Sequence, residues 1–160
     1  MRVRVVWLGR PAGSPDEGQV ETYRRRVQRR WPAEDVALRP AGGDRGRDPV
    51  RALRSEADAL ARQVFGGWKL AALDERGRAH DSGSFARWLG GLEEDGAEGV
   101  VFALGSDLGL DQGVLNVADE RLSLSPMTLP HLLARLLLWE QLFRATHILG
   151  GGAYHRVSVQ

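Results

Sequence analysis

The chain has 160 residues, of which 42% are hydrophobic and 27% charged, so it is long enough to bury a core of its own. The absence of cysteine excludes disulfides, thiolate metal sites and a cysteine nucleophile. The net charge of +1 excludes a protein that is polycationic throughout. The charged N-terminus MRVRVVWLGR predicts no signal peptide, and the apolar run HLLARLLLWEQLF is broken by Arg135 and Glu140, which predicts no membrane span. We therefore expect a cytoplasmic protein.

Strands and helices are predicted to alternate along the chain. In chain order, the hydrophobic spacing and capping residues predict strand 3–8, helix 16–31, strand 36–39, helix 49–65, strand 68–73, a helix from Ser82 or Ser84 to residue 94, strand 99–104, a helix from an Asp111 cap to residue 118, strand 122–125 and helix 130–146. The runs WKLAAL and GVVFAL are typical of strands covered on both faces. This order predicts an α/β sandwich around a mainly parallel sheet, in one domain over residues 1–160.

Arginine supplies 21 of the 22 basic residues, and the stretch YRRRVQRRW at residues 23–31 contains five of them. Two interpretations stay open for this stretch. It is either a solvated helix face or a nucleic-acid surface, because the planar guanidinium is a good phosphate ligand.

Helix 130–146 is predicted to be apolar on most of its sides. The positions that make it so are Leu132, Leu133, Leu136, Leu137, Leu138, Trp139, Leu142 and Phe143. A helix of this kind must be buried on most sides, and in a small domain one side needs a partner. The pattern therefore predicts a homodimer.

Three loops follow predicted strands and are candidate ligand loops: LDERGR, GSDLGL and LSPMTLPH. Ligands of parallel α/β sheets bind beyond the carboxyl ends of the strands. Backbone amides and carbonyls exposed there can bind an adenine edge and a ribose. GSDLG is neither a Walker loop nor a G-x-G-x-x-G fingerprint, which disfavours classical phosphate or dinucleotide binding.

The segments LDERGR, GSDLGL, LSLSPMTLPH, LLWEQLFRA and AYHR occur in this order and spacing. Together they resemble the RlmH family of SPOUT methyltransferases, and the resemblance runs essentially end to end. The family methylates N3 of a pseudouridine in 23S ribosomal RNA. The resemblance implies a trefoil-knotted α/β fold, S-adenosylmethionine as methyl donor, the ribosome as partner and an obligate homodimer. Carried over by position, it implies these cofactor contacts: Leu73, Gly105, Leu124, Ser125, Pro126, Met127, Thr128 and Leu129.

The tail THILGGGAYHRVSVQ is interpreted as the substrate-facing end of the site. Tyr154 would stack on a base, and His155 would accept or relay the N3 proton. Arg156 would bind a phosphate, with Arg144 as a second cation. The catalytic residues are therefore predicted to be Tyr154, His155 and Arg144, and the RNA-binding residues Tyr154 and Arg156. The alternative for Tyr154 is a packing aromatic at a dimer seam.

The other histidines carry weaker signals. His131 follows Pro130 at a predicted helix start, where capping or packing is as plausible as catalysis. His80 and His147 are expected to be plain surface or core residues. No His, Asp and Glu spacing suggests a metal site.

The sequence departs from the family in two places. The usual Gly-Gly-x-x-Gly of the middle loop is Gly105-Ser106-Asp107-Leu108-Gly109 here, so Ser106 is expected to be strained if this position needs a positive φ. Ser106→Gly is then expected to tighten cofactor binding. Residues 157–160 extend past the customary end, either covering the site or trailing into solvent. A non-catalytic RNA- or ribosome-binding protein is the main alternative function, and a generic small-molecule α/β enzyme is a third.

Overall fold

A computed structural model describes residues 1–10, 16–41 and 48–151 of the chain. Within these ranges strands and helices alternate without exception. The elements are β1 (Arg2–Leu8), α1 (Glu17–Val27), β2 (Ala33–Leu38), α2 (Pro49–Ala61), β3 (Trp68–Ala79), α3 (Ser82–Glu94), β4 (Gly99–Leu104), α4 (Gln112–Val117), β5 (Glu120–Ser123) and α5 (His131–Leu149).

The strands form one parallel sheet in the order β2-β1-β4-β3-β5. Strand β4 lies at the centre, and all six of its residues are buried. This confirms the prediction that GVVFAL is covered on both faces. The predicted α/β fold with a parallel sheet is confirmed as well.

Helices cover both faces of the sheet. One core cluster contains Trp7, Phe102 and Val100 with buried side chains of α1, α3 and α5. The other contains Val101 and Ala103 with side chains of α2 and α4. Alternate residues of β4 thus point to opposite layers, as the pleat of a strand requires.

Several predicted boundaries are corrected by long-range pairing and capping. Strand β3 continues to Ala79 instead of ending at residue 73, because Arg78 and Ala79 pair with β5 after a shift of register. The whole LDERGR segment, residues 73–78, therefore lies within β3. The cap of α3 is Asp81, whose carboxylate accepts a hydrogen bond of 2.6 Å from the Ser84 N–H, and neither predicted serine caps it. The predicted Asp111 cap of α4 is confirmed.

Helix α5 is not apolar on every side, because it carries a buried ion cluster. Arg135 is only 1% exposed and lies in the first half of the helix. Its guanidinium donates to both carboxylate oxygens of Glu17 at 2.9 and 3.0 Å and to those of Asp35 at 3.1 and 2.6 Å. It also stacks over the Trp7 ring at 4.1 Å. Asp35 accepts further hydrogen bonds from the indole N–H groups of Trp7 and Trp139 at 3.0 and 2.7 Å.

This cluster joins α5 to α1, β1 and β2. A buried charge is tolerated only when its hydrogen bonds are satisfied, and the planar guanidinium meets both carboxylates at once. Removing Arg135 would leave Asp35 as a buried carboxylate without its cation. The cluster therefore fixes how α5 sits on the sheet.

We expect Arg135→Met to lower the free energy of unfolding by about 3 kcal/mol, because breaking a buried ion cluster leaves uncompensated charge. Arg54→Met is the matched control, since Arg54 is an exposed arginine of α2. Denaturant unfolding monitored by circular dichroism measures both variants. Equal stability of the two variants would contradict the role given to the cluster.

The difference in stability between wild type and Arg135→Met should also depend on pH. The hydrogen bond from Arg135 lowers the pKa of Glu17 below its ordinary value of 4.5. A carboxyl with a lowered pKa in the folded state contributes stability above its unfolded pKa, and this contribution is lost as the pH falls. The stability difference between wild type and Arg135→Met should therefore shrink as the pH falls below about 4.5. If this stability difference stayed constant as the pH falls, Arg135 would not stabilise the ionised form of Glu17.

Candidate active site

A cavity of about 690 Å³ lies at the carboxyl ends of β4 and β5, beside the irregular second half of β3. Its walls come from residues 73–76, from residues 104–110 and from most of the segment between residues 122 and 131. The first turn of α5 closes one side through His131 and Ala134. These are the three segments that the sequence predicted as ligand loops, although the first of them, LDERGR, belongs to β3. Parallel strands bring them to one edge of the sheet.

Seven of the eight predicted cofactor contacts line this cavity: Leu73, Gly105, Leu124, Ser125, Met127, Thr128 and Leu129. Pro126 lies between two of them in the chain and does not line it. The predicted tail residues Tyr154, His155 and Arg156 lie outside the described residues. The structure therefore brings seven of the predicted cofactor contacts together, while the roles of Tyr154, His155 and Arg156 stay predictions.

Hydrogen bonds fix the segment after β5 against the bulge in β3. The Thr128 hydroxyl donates to the Glu75 carboxylate at 2.7 Å. The Ser123 hydroxyl lies 3.2 Å from the Glu75 carbonyl and 3.0 Å from the Ser125 carbonyl, and the Met127 N–H donates to the Ser125 hydroxyl at 3.0 Å. No sequence pattern indicates the role of Glu75, because the bulge that turns it toward Thr128 depends on pairing with β5.

The loop after β4 is a tight turn that depends on its two glycines. A Cβ on Gly105 would lie 2.3 Å from the carbonyl carbon and oxygen of Gly109, so only glycine allows this approach. Gly109 itself has a φ of +79°, and its N–H donates to the Ser106 carbonyl at 2.8 Å. The backbone of this loop is thereby held at the cavity wall.

The expected strain at Ser106 is wrong. Among the described residues no residue other than glycine has a positive φ, so this position does not require glycine. The Ser106 hydroxyl instead donates to the Glu56 carboxylate at 3.0 Å and accepts from the Leu108 N–H at 3.3 Å. The expected gain in cofactor affinity from Ser106→Gly loses its basis in strain.

Glu56 is a residue that the sequence did not reveal, since it looked like one more polar residue of a helix. It is 3% exposed, and its second oxygen accepts a hydrogen bond of 2.9 Å from the Ala41 N–H. Ser106 therefore supplies one of the two hydrogen bonds that the buried Glu56 carboxylate accepts. A buried carboxylate oxygen without a hydrogen-bond partner would lower the stability of the fold.

The histidines fall into different surroundings. His131 lines the cavity, and its Nδ1 lies 3.1 Å from the exposed carboxylate of Asp107, so it links α5 to the loop after β4. His80 is buried against Phe85 and Trp88, as expected of a core residue. His147 packs edge-on against Phe143 at 4.6 Å, far along α5.

Arg144 does not meet the cavity in its own chain. It forms an ion pair with Glu140 one turn earlier in α5. Ala134 is the last cavity-lining residue of α5, and at 1.5 Å per residue Arg144 lies about 15 Å farther along the helix. Arg144 thus lies on the side of the molecule from which the tail departs.

Comparison with known proteins agrees with this arrangement. Residues 1–155 match the model of a family described as "Predicted SPOUT methyltransferase". The chain belongs to this family. It is 40% identical to the Ribosomal RNA large subunit methyltransferase H of Acidiphilium cryptum over 155 residues, which are 97% of this chain and 94% of the relative.

Proteins of the same name from Rhizobium etli and Agrobacterium fabrum are 38% and 36% identical over 160 residues, which are 98% of this chain and all of each relative. The resemblance to the RlmH family, first drawn from short motifs, is confirmed. The trefoil knot of this SPOUT family member stays a prediction.

In the part of the chain that the structure describes, no helix is long and apolar enough to cross a membrane. Nor are any three His, Asp or Glu side chains in that part grouped so as to bind a metal.

The cavity lining combines apolar residues such as Leu73, Leu115 and Met127 with the acidic residues Asp74 and Asp107. Such a lining fits a ligand with a flat apolar ring and a positive charge.

We expect Ser106→Ala to lower the free energy of unfolding by about 1–2 kcal/mol, because it leaves the buried Glu56 carboxylate with one hydrogen bond fewer. Ser55→Ala is the control, since Ser55 lies next to Glu56 in α2 and is exposed. Denaturant unfolding compares the two variants. Stability equal to wild type would mean that the bond between Ser106 and Glu56 contributes nothing.

Proposed function

We propose that this protein is an S-adenosylmethionine-dependent methyltransferase that methylates N3 of a pseudouridine in 23S ribosomal RNA, acting on assembled ribosomes as a homodimer. The observation that carries the proposal is the cavity at the sheet edge, whose wall is built from the motifs shared with the RlmH family. The names of the relatives support a substrate in large-subunit ribosomal RNA. We propose that residues 1–160 form one such domain.

The cavity at the sheet edge, here called the donor cavity, fits the proposed cofactor in size and lining. Its volume of about 690 Å³ is within the usual range for small-molecule sites. Leucine side chains would pack on the adenine, the backbone of residues 104–110 and 124–129 would bind its polar edge, and Asp74 or Asp107 would lie near the positive charge. S-adenosylmethionine, when bound, supplies an electrophilic methyl group.

The protein's own residues would align the nucleophile and handle its proton. Transfer to N3 requires loss of the imino proton, and His155 is proposed to accept or relay it, since its side chain titrates near neutral pH. Tyr154 would stack on the pseudouridine ring, and Arg156 would bind a phosphate. These groups act mainly by orientation, which accounts for most of what a methyl transfer needs.

Chain length supports an active site shared between two subunits. The chain leaves α5 at Leu149, about 22 Å along the helix from the cavity-lining Ala134. Four Cα–Cα steps join Gly151 to His155 and span at most about 14 Å. A partner subunit's cavity is therefore the simpler place for the tail. Arg144, on the same end of α5, would then act beside the tail and not beside the cavity of its own chain.

The non-catalytic alternative loses its main support. That reading rested on the replacement of a glycine by Ser106 in the donor loop, and the structure gives the serine an ordinary backbone and two hydrogen bonds. The cavity also remains open at this position.

The proposal is tested by incubating assembled ribosomes that lack the modification with the protein and S-adenosylmethionine. Mass spectrometry of the 23S nucleosides should show a methylated pseudouridine. His155→Ala and Arg156→Ala should each lower the rate about a hundredfold, as expected for loss of a positioned proton acceptor or phosphate ligand, without weakening cofactor binding measured by calorimetry.

Ser158→Ala is the control, because it changes the same tail beyond the proposed functional residues. Methylation by both test variants at the wild-type rate would show that the tail has no such role. Absence of any methylated pseudouridine with the wild-type protein would refute the proposed reaction.

A further inference from the structure

A second cavity, here called the arginine cavity, lies between the end of α1 and the last turns of α5. Its volume is about 490 Å³, and its lining is Arg26, Arg29, Arg30, Phe143, Thr146, His147 and Gly150. Thr146 lies 12 residues after Ala134, so the two cavities are separated by about 18 Å along α5. The arginine cavity is thus distinct from the proposed donor site of the same chain.

The arginines that follow Tyr23 differ in their partners. Arg24 and Arg25 both pair with Glu21, at 2.8 and 2.6 Å. Their hydrogen bonds lower the pKa of Glu21 to about 2, so it is ionised at neutral pH. Each of these two guanidinium groups is therefore ion-paired within α1, where they share one carboxylate.

The arginines that line the cavity are less well neutralised. Arg30 pairs with Glu93 at 2.6 Å. No carboxylate in residues 1–10, 16–41 and 48–151 lies within ion-pair distance of Arg26 or Arg29, and both side chains are exposed. The Arg26 guanidinium lies 5.2 Å from the centre of the Phe143 ring, which orients it without neutralising its charge. The guanidinium groups of Arg26 and Arg29, which have no carboxylate partner among the described residues, thus lie in one concave surface.

Stabilisation of the helix end explains only part of this arrangement. Cations near the last turn of a helix interact favourably with its dipole, which suits Arg26. Arg29 and Arg30 lie two and three residues beyond Val27, the last residue of α1, so the dipole can attract them as well but does not account for three arginines around one cavity. Their placement around a cavity needs another reason.

We propose that the arginine cavity binds phosphate groups of the RNA strand beside the target nucleotide. This inference rests on the proposed function. Guanidinium groups hold phosphate through paired, charge-assisted hydrogen bonds, and phosphate contacts position a protein on RNA without reading its sequence.

The place of the cavity in the chain indicates which part of the RNA it meets. Gly150 lines the cavity and also begins the segment that leads to Tyr154 and His155. His155 is five residues from Gly150, within about 17 Å. The phosphates bound here therefore belong to nucleotides close to the methylated one, at a site completed by the partner subunit's donor cavity.

The overall charge favours such a local contact. With a net charge of +1, the field of the whole protein provides little attraction for RNA. Affinity for phosphate must then come from places where positive charge is left over, and Arg26 and Arg29 form one.

The test uses Arg26→Gln and Arg29→Gln in the full chain. Arg25→Gln is the matched control, because it removes the same charge from the same helix at a residue that is paired with Glu21 and does not line the cavity. Binding to purified assembled ribosomes is measured over a range of KCl at fixed magnesium. Each test variant should bind about five- to tenfold more weakly near 0.1 M salt and show a salt slope smaller by about 1, as expected for one lost phosphate contact. The control should bind within about twofold of wild type, since its charge is already paired.

Calorimetry with S-adenosylmethionine and the unfolding midpoint should be the same in all three variants. If wild type binds and methylates the ribosomes while both test variants match the control, the phosphate site is overturned and the proposed function stands. If methylation falls but affinity and salt slope do not, the cavity serves another purpose and the inference is equally overturned. If wild type neither binds nor methylates the ribosomes, the proposed function fails and the inference fails with it.

Discussion

The ion cluster around Arg135 is the interaction on which the arrangement of both cavities depends. One guanidinium on α5 is held by Glu17 of α1 and Asp35 of β2 and lies over Trp7 of β1. It follows Ala134, which lines the donor cavity, by one residue. The cluster thereby sets the wall of that cavity and, through the rigid helix, the position of the arginine cavity at the other end.

The two ends of α5 have different chemistry because they are built from different parts of the chain. The donor cavity is formed by strand ends, where a glycine loop and short side chains leave backbone groups exposed. The arginine cavity is formed by the ends of two helices, where long cationic side chains extend from α1. A flat cofactor suits the first surface and a polyanion suits the second. In the homodimer that we propose, the two surfaces would come from different subunits and meet at one nucleotide.

The structural features that depend on short stretches of sequence could be predicted from the sequence. The buried strand β4 and the Asp111 cap follow from short-range spacing. The three segments that line the donor cavity were also located from the predicted strand ends, although LDERGR is itself part of β3. The resemblance to a known family located seven of the cavity-lining residues.

What depends on long-range contacts was not visible in the sequence. The extension of β3 to Ala79 arises from a register shift against β5. The role of Glu56 arises from hydrogen bonds to residues 15 and 50 positions away, and the partners of Arg135 lie 100 and 118 positions away. For the same reason the sequence does not reveal that the Ser106 hydroxyl, in the loop after β4, has a partner in Glu56 of α2.

A crystal structure of the protein soaked with S-adenosylmethionine tests the central claim most directly. We predict electron density for the cofactor in the donor cavity, with its adenosine between residues 104–110 and 124–129. Density at a different place, or a donor cavity that stays empty at saturating cofactor, would contradict the claim that this sheet edge holds the methyl donor.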